Sequence, residues 1–122
     1  MADPRHLLGK QGEEMAAAWL SARGWAILAR RWRCPAGELD LIARDPYGVI
    51  VGIEVKLRRG RGTGGAVESI DRRRLRRLRA ALGQFLGTWH DAAGSVRIDL
   101  VAVSRAPDGR WHLVQHAAID AW

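Results

Sequence analysis

Apolar positions follow two different periods along the chain, and the period separates helices from strands. Over residues 9–23 the apolar side chains fall on one arc at 100° per residue, which predicts a helix. That arc consists of Met15, Ala16, Ala17, Trp19 and Leu20. A second helix is predicted from Ser69 or Asp71, since both residue types cap the amino ends of helices. Its apolar positions alternate in steps of three and four, at Leu75, Leu78, Leu82, Phe85 and Trp89.

The segments around these helices have the patterns of strands and turns. Strands are predicted over residues 25–33, 38–45, 49–57, 96–103 and 111–116. Glycine-rich residues 60–65 are predicted to form a mobile loop. The resulting order, α-β-β-β-α-β-β, predicts an α/β fold in which helices flank a mixed β-sheet. At 122 residues the chain is expected to form one domain over residues 1–122.

One turn determines which charged residues face each other. Residues Asp45 to Gly48 have the preferences of a type I turn followed by a left-handed glycine. Counting back along both strands from this turn predicts Asp40 opposite Glu54 and Glu38 opposite Lys56. Directly opposed side chains share a face, with Cβ atoms about 5 Å apart.

By strand alternation, these four charged side chains are predicted on one face, and Leu39, Leu41 and Ala43 on the other. Two carboxylates this close repel unless a divalent cation lies between them, and Mg²⁺ suits one or two carboxylates with waters and phosphate oxygens. The lysine beside them would then orient the attacking water or neutralise the transition state. The alternative is a polar strand face held by salt bridges, of which Glu38 with Lys56 is the obvious one.

The charge of the chain favours an anionic partner. The formal net charge is +7, and Lys10 and Lys56 are the only lysines among 20 basic residues. Opposite the leucine stripe, the second helix and the loop before it are dense in arginine, which is typical of phosphate binding. The predicted phosphate contacts are Arg58, Arg59, Arg61, Arg72, Arg73, Arg74, Arg76 and Arg77. A solvated helix face, or docking on an acidic protein or RNA, are the alternatives.

Composition also excludes some classes. No apolar run approaches the roughly 18 residues of a membrane span, and the first ten residues lack the apolar stretch of a signal peptide. Cys34 is the only cysteine, so a disulfide framework or a cysteine-based zinc site within the chain is excluded. A cytoplasmic protein without a membrane partner is expected.

Two blocks of sequence resemble the active-site strands of PD-(D/E)XK nucleases: GELDLI at residues 37–42 and IEVKLR at residues 53–58. Further blocks are Gly9-x-x-Gly12-Glu13-x-x-Ala16, residues 64–70, and RIDLV at residues 97–101. In this order, over roughly residues 9–103, they resemble the YraN-like family of small bacterial predicted endonucleases. That family is similar in fold to archaeal Holliday-junction resolvases.

The resemblance implies a restriction-endonuclease-like fold and a metal-dependent active site. Asp40 and Glu54 would be ligands of Mg²⁺ or Mn²⁺, and Glu13 would complete the acidic cluster as a further catalytic acid and metal ligand. Lys56 would be the catalytic lysine. The helical arc supports Glu13 independently, because its position lies within the buried part of the helix. Glu38 would support the ligands without binding the ion itself.

The implied function is an endonuclease acting on DNA rather than RNA, on branched or flapped DNA in particular. The alternative is a non-catalytic nucleic-acid-binding module that retains the nuclease fold. Junction-cutting proteins of this fold act as symmetric dimers, so a homodimer is expected if the chain cuts junctions. The chain departs from the family pattern at Gly52 and Thr63, where aromatic residues are usual, and at Arg74, where lysine is usual.

Overall fold

A computed structural model describes residues 4–59, 69–88 and 95–120. The elements follow the predicted order, which is thereby confirmed. They are α1 (Pro4–Ala22), β1 (Ala26–Cys34), β2 (Gly37–Arg44), β3 (Ile50–Arg59), α2 (Arg72–Thr88), β4 (Val96–Arg105) and β5 (Trp111–His116). The predicted loop at residues 60–65 and Trp89 lie outside the described residues. Neither described helix is long and apolar enough to cross a membrane.

The five strands form one mixed sheet in the order β1-β2-β3-β4-β5. Neighbouring strands are antiparallel except β3 and β4, which are parallel with Ile50 beside Val96 and Arg59 beside Arg105. Parallel neighbours require a crossover rather than a tight turn, and α2 lies in that connection. The predicted mixed sheet is therefore confirmed.

One helix covers each face of the sheet. The core under α1 consists of Ala16, Ala17, Leu20, Leu41, Ala43, Val51, Ile53, Val101 and Val103. The core under α2 consists of Leu39, Ile42, Ile50, Leu78, Ala81, Leu82, Phe85, Ile98, Leu100, Ala102 and Ile119. Of the predicted apolar arcs, Ala16, Ala17 and Leu20 of α1 and Leu78, Leu82 and Phe85 of α2 are buried, whereas Met15, Trp19 and Leu75 are partly buried. β3 and β4 supply residues to both cores, as central strands do.

The helix starts differ in how well they were predicted. The first helix begins at Pro4, five residues before the predicted start. Proline suits this first position, because its fixed φ matches the helix and its missing N–H has no partner there. At α2, Asp71 is the cap: its Oδ1 accepts a hydrogen bond from the Arg74 amide at 2.7 Å.

The turn between β2 and β3 has the predicted geometry. The Asp45 amide donates to the Val49 carbonyl at 2.9 Å, and the Gly48 amide donates to the Asp45 carbonyl at 3.0 Å. Gly48 has φ +90°, a left-handed conformation that favours glycine. The register that follows, with Ala43 opposite Val51, is the one predicted from this turn.

Candidate active site

The strands β2 and β3 separate at the level of Asp40. Their ladder of hydrogen-bonded pairs ends at Leu41 and Ile53. One step further, the Val55 amide donates to Oδ2 of Asp40 at 2.7 Å rather than to the backbone of β2. The Asp40 carboxyl group therefore lies in the gap between the strands. The predicted Glu38–Lys56 pairing lies beyond the end of the ladder.

Asp40 and Glu54 form a carboxyl pair in this gap. Their side chains lie close enough for each carboxyl group to act on the other, and two carboxylates at this separation repel each other. Burial, first, and the neighbouring carboxylate of Glu54 raise the pKa of Asp40 to about 8, whereas the Val55 amide and Arg74 act to lower it. Glu54 is 3% exposed. The predicted pair is thus brought together, and it needs a proton or a cation to be stable.

Glu13 approaches the pair from α1. Its side chain is 20% exposed, whereas that of Glu14 is 59% exposed, so the inward position predicted for Glu13 is confirmed. Oε2 of Glu13 accepts a hydrogen bond from Nε of Arg31 at 2.9 Å. Burial raises the pKa of Glu13, the hydrogen bond from Arg31 opposes this rise, and the charge of Asp40 adds to it.

Arg31, which contacts Glu13, lies at an irregularity in the backbone of β1. Arg31 has φ +50°, which is uncommon for a residue with a side chain. In the neighbouring strand β2, side chains two residues apart do not share a face of the sheet at this level. Leu39 packs in the core under α2, whereas Leu41 packs in the core under α1. The prediction that Leu39, Leu41 and Ala43 share a face was therefore wrong for Leu39, because alternation assumes uninterrupted extended backbone.

Arg74 enters the site from the first turn of α2. Its Nε donates a hydrogen bond to Oε2 of Glu54 at 2.8 Å, and its Nη2 lies 2.7 Å from the same oxygen as an ion pair. Its Nη1 lies 3.9 Å from Oε1 of Glu38. Arg74 was predicted only as a phosphate contact, and the contact to Glu54 was missed. A signal was present, since Arg74 precedes the buried Leu78 by four positions and so borders the buried stripe of α2.

The matched family model, described as Uncharacterised protein family UPF0102, covers residues 12–103. The chain belongs to this family. It is 47% identical to a UPF0102 protein of Roseiflexus castenholzii over 106 residues, which are 85% of this chain and 84% of that one. A UPF0102 protein of Beutenbergia cavernae is 46% identical over 103 residues, covering 84% of this chain and 86% of that one. One of Mycobacterium tuberculosis is 42% identical over 101 residues, covering 82% and 79%.

In this UPF0102 protein, the acids suit a hard divalent cation with an incomplete protein shell. Within the described residues, no three His, Cys, Asp or Glu side chains are grouped so that they could hold a metal ion. Glu13 contacts Asp40 and Asp40 contacts Glu54, but the three do not converge on one point. Mg²⁺ commonly takes only one or two carboxylates and completes its shell with water and phosphate oxygens. Asp40 and Glu54 fit that requirement.

Lys56 and Glu38 lie near the pair but not together. Lys56 follows Glu54 by two residues on β3 and is partly buried. Among the described residues, the ion pairs of Glu38 are with Arg33 at 3.5 Å and Arg74 at 3.9 Å. The salt bridge between Glu38 and Lys56, which the alternative interpretation of a polar strand face required, is therefore not formed.

A cleft of about 280 Å³ opens beside the acids. Its walls come from α1, β1 and β2, and it is lined by Gly9, Lys10, Glu13, Arg31, Arg33, Glu38, Leu39 and Asp40. Sequence reasoning missed the arginines of β1, because no periodicity marks Arg31 as turned toward α1. The cleft gives Glu13 and Asp40 access to a solute.

The basic face of α2 is only partly the one predicted. Four of the predicted phosphate contacts are exposed: Arg72, Arg73, Arg76 and Arg77. Arg58 is partly buried near the end of β3. The side chain of Arg59, and Arg61 as a whole, lie outside the described structure. Arg79, on the same helix, is bound to Asp120 instead.

Gly52 explains one departure from the family pattern. A Cβ at this position would lie 3.0 Å from Cδ1 of Ile98 and 3.1 Å from Cδ1 and Cδ2 of Leu39. These side chains of the core under α2 fill the space that an aromatic residue would need. Thr63, the other departure, lies outside the described residues.

Proposed function

We propose that this UPF0102 protein is a metal-dependent endonuclease that hydrolyses phosphodiester bonds in DNA. The observation that carries the proposal is the Asp40–Glu54 pair, two neighbouring carboxyl groups, one of them almost fully buried, whose mutual repulsion a cation between them would relieve. A cleft opens beside Asp40, and exposed arginines follow on α2. The preference for branched or flapped DNA, and a symmetric homodimer, rest on the resemblance to junction-cutting proteins.

Each acid has a role in this proposal. Asp40 and Glu54 would hold Mg²⁺ or Mn²⁺, and Glu13 would bind the same site through Asp40. When bound, the ion would lower the pKa of a water and offset charge on the phosphate. Lys56, two residues from Glu54, would orient the attacking water or neutralise charge on the phosphate in the transition state. Glu38 would help to position Arg74 from outside the site.

A second candidate function has its own supporting observation. Glu54 already has Arg74 as a counterion, and Glu13 has Arg31. An acidic pocket neutralised in this way is also what a non-catalytic nucleic-acid-binding module would keep. The two candidates differ in metal-dependent cleavage and agree in salt-sensitive binding.

Cleavage of labelled flap, four-way-junction, single-stranded and duplex DNA in Mn²⁺ tests the proposal. The native protein is compared with Glu54→Gln and with Glu14→Gln. Both substitutions remove one negative charge without changing side-chain size, but Glu14 is exposed and pairs with Arg30. We expect cleavage by the native protein and by Glu14→Gln, and a loss of at least 100-fold in Glu54→Gln, as for other groups that stabilise a transition state.

The other outcomes are equally informative. Cleavage that is unchanged in Glu54→Gln would show that the activity arises elsewhere. Salt-sensitive binding to DNA without cleavage by any of the three proteins would favour the non-catalytic module. Binding to RNA or to an acidic polypeptide in preference to DNA, at matched salt, would favour an interaction protein instead.

A further inference from the structure

Arg74 occupies one carboxylate oxygen of Glu54, which is a proposed ligand of the metal ion. Its Nε donates to Oε2 of Glu54 at 2.8 Å, and its Nη2 lies 2.7 Å from the same atom. The Glu54 side chain is 3% exposed, whereas that of Arg74 is 29% exposed. The guanidinium group therefore lies at the boundary between the buried acids and the outer face of α2.

A guanidinium group and a divalent cation are alternatives at this oxygen. A buried carboxylate without a positive neighbour is strongly unfavourable, so Glu54 requires one of them. A guanidinium group and a divalent cation in contact with the same carboxylate oxygen would repel each other strongly. A metal ion at Oε2 therefore favours departure of the Arg74 side chain from that atom.

The outer face of α2 offers a second position for that side chain. Arg73 and Arg77 lie exposed on the same helix, beside Arg74 and one turn further along it. A phosphate bound there would meet a guanidinium fork, which matches its oxygens in a bidentate manner. Because the Arg74 side chain is already 29% exposed, rotation about its own bonds would turn it toward this face, and α2 would not need to move.

Taking the proposed function as its basis, we propose that Arg74 exchanges partners between Glu54 and a phosphate of the nucleic acid. In the metal-free protein it neutralises Glu54. When a divalent cation binds Glu54, it turns outward to the phosphate backbone. Metal and nucleic acid then bind cooperatively, because each favours the same position of one side chain.

Titration calorimetry with Mn²⁺ alone tests the first half of the exchange. Arg74→Gln removes the competing cation, so the affinity for Mn²⁺ should rise about tenfold, a coupling of ordinary size. Arg74→Lys, which keeps a charge but only a single donor group, should lie between this variant and the native protein. The control is Arg110→Gln, which removes the same charge from a side chain that is 88% exposed. It should change Mn²⁺ affinity less than twofold.

Thermal unfolding separates this role from a merely structural one. In EDTA, Arg74→Gln should unfold at a lower temperature than the native protein, because Glu54 is left unpaired. Addition of Mn²⁺ should then raise its unfolding temperature by more than that of the native protein. The double variant Glu54→Gln, Arg74→Gln removes both charges, so it should regain stability in EDTA and show no rise with Mn²⁺.

Binding to a short DNA duplex tests the second half of the exchange, in which Arg74 contacts a phosphate. The measurement uses a Lys56→Met background, which removes the proposed catalytic lysine. Arg74→Gln should leave DNA affinity in EDTA within twofold and lower it about tenfold in Mn²⁺. A Mn²⁺ affinity that is unchanged or weaker in Arg74→Gln, while Glu54→Gln still abolishes Mn²⁺ binding, would overturn the exchange and leave the proposed nuclease intact. If the native protein binds no Mn²⁺, the exchange of Arg74 and the proposed metal-dependent nuclease are both contradicted.

Discussion

Two aspartates illustrate how surroundings decide the effect of one residue type. Asp45 and Asp108 both accept hydrogen bonds from amides of their own turns, Asp45 from Tyr47 at 2.9 Å and Val49 at 2.8 Å, and Asp108 from Arg110 at 3.0 Å. Asp45 is buried and also pairs with Nη1 of Arg97 at 3.2 Å, whereas the Asp108 side chain is 60% exposed. Asp45 should therefore contribute much more than Asp108 to the free energy of unfolding.

We expect Asp45→Asn to lower the free energy of unfolding at pH 7 by about 1–3 kcal/mol, because charged hydrogen bonds to buried groups are lost. Burial acts to raise the pKa of Asp45, but the amides of Val49 and Tyr47 and the charge of Arg97 outweigh it and lower the pKa below its ordinary value of 3.8. The stabilisation is therefore present above about pH 4 and is lost as the pH falls through the lowered pKa.

Urea denaturation of the native protein, Asp45→Asn and Asp108→Asn, from pH 7 down to pH 2, measures this effect. The difference between the native protein and Asp45→Asn should shrink below pH 4, whereas Asp108→Asn should differ little at any pH. A difference that stays constant down to pH 2 would contradict the pKa assignment.

At the same scale, sequence predicted the acids of the candidate site better than their counterions. A turn of known geometry related Asp40 to Glu54, and helical period related Glu13 to the buried arc. Neither rule applies to Arg31, whose position depends on a positive φ in an otherwise extended strand. The contact of Arg74 with Glu54 was missed because Arg74 stands in a run of arginines, and most of its neighbours in that run are exposed.

The start of β2 lies very close to the backbone of α2. Gly37 begins β2, and a Cβ there would lie 2.3 Å from the carbonyl oxygen of Arg77 in α2. That oxygen belongs to helix backbone, so relief requires movement of α2 as a whole. The contact fixes α2 against β2, and with it the position from which Arg74 reaches Glu54.

Gly37→Ala should lower the free energy of unfolding by about 2 kcal/mol, the usual cost of overpacking. Gly83→Ala is the matched control, since Gly83 lies within α2 and a Cβ there meets nothing within 4 Å. That control should stabilise the protein by about 0.5–1 kcal/mol, because alanine favours helix. Thermal unfolding measures both, and equal effects of the two substitutions would show that α2 does not approach β2 this closely.

Elements were predictable in order and type, and less so in their faces and ends. Period and turn residues predicted all seven, and β5 has the predicted bounds Trp111–His116. The orientation of Leu39 was not predictable, because a local backbone conformation in the neighbouring strand is not recorded in the apolar pattern. The start of α1 at Pro4 was missed because the apolar arc becomes regular only later in the helix.

For the whole molecule, the distribution of charge matters more than its total. The net charge of +7 would attract any polyanion, but the exposed arginines of α2 form a patch on the helix from which Arg74 contacts Glu54. If that patch holds the phosphate backbone, its residues should control both affinity and salt dependence. Arginines elsewhere on the surface should contribute only to long-range attraction, which salt screens within about 10 Å.

The triple substitution of Arg73, Arg76 and Arg77 by Gln should therefore weaken DNA binding and reduce the slope of log affinity against log salt by about 2–3, since each phosphate contact contributes about 0.9. The control replaces Arg23, Arg105 and Arg110 by Gln, which removes the same three charges from exposed positions outside α2. Fluorescence anisotropy of a labelled DNA duplex, in EDTA and at several salt concentrations, measures both slopes. If the slope of log affinity against log salt falls equally in the two triple variants, DNA binding depends on net charge alone. The arginines of α2 would then not form a specific phosphate-binding surface.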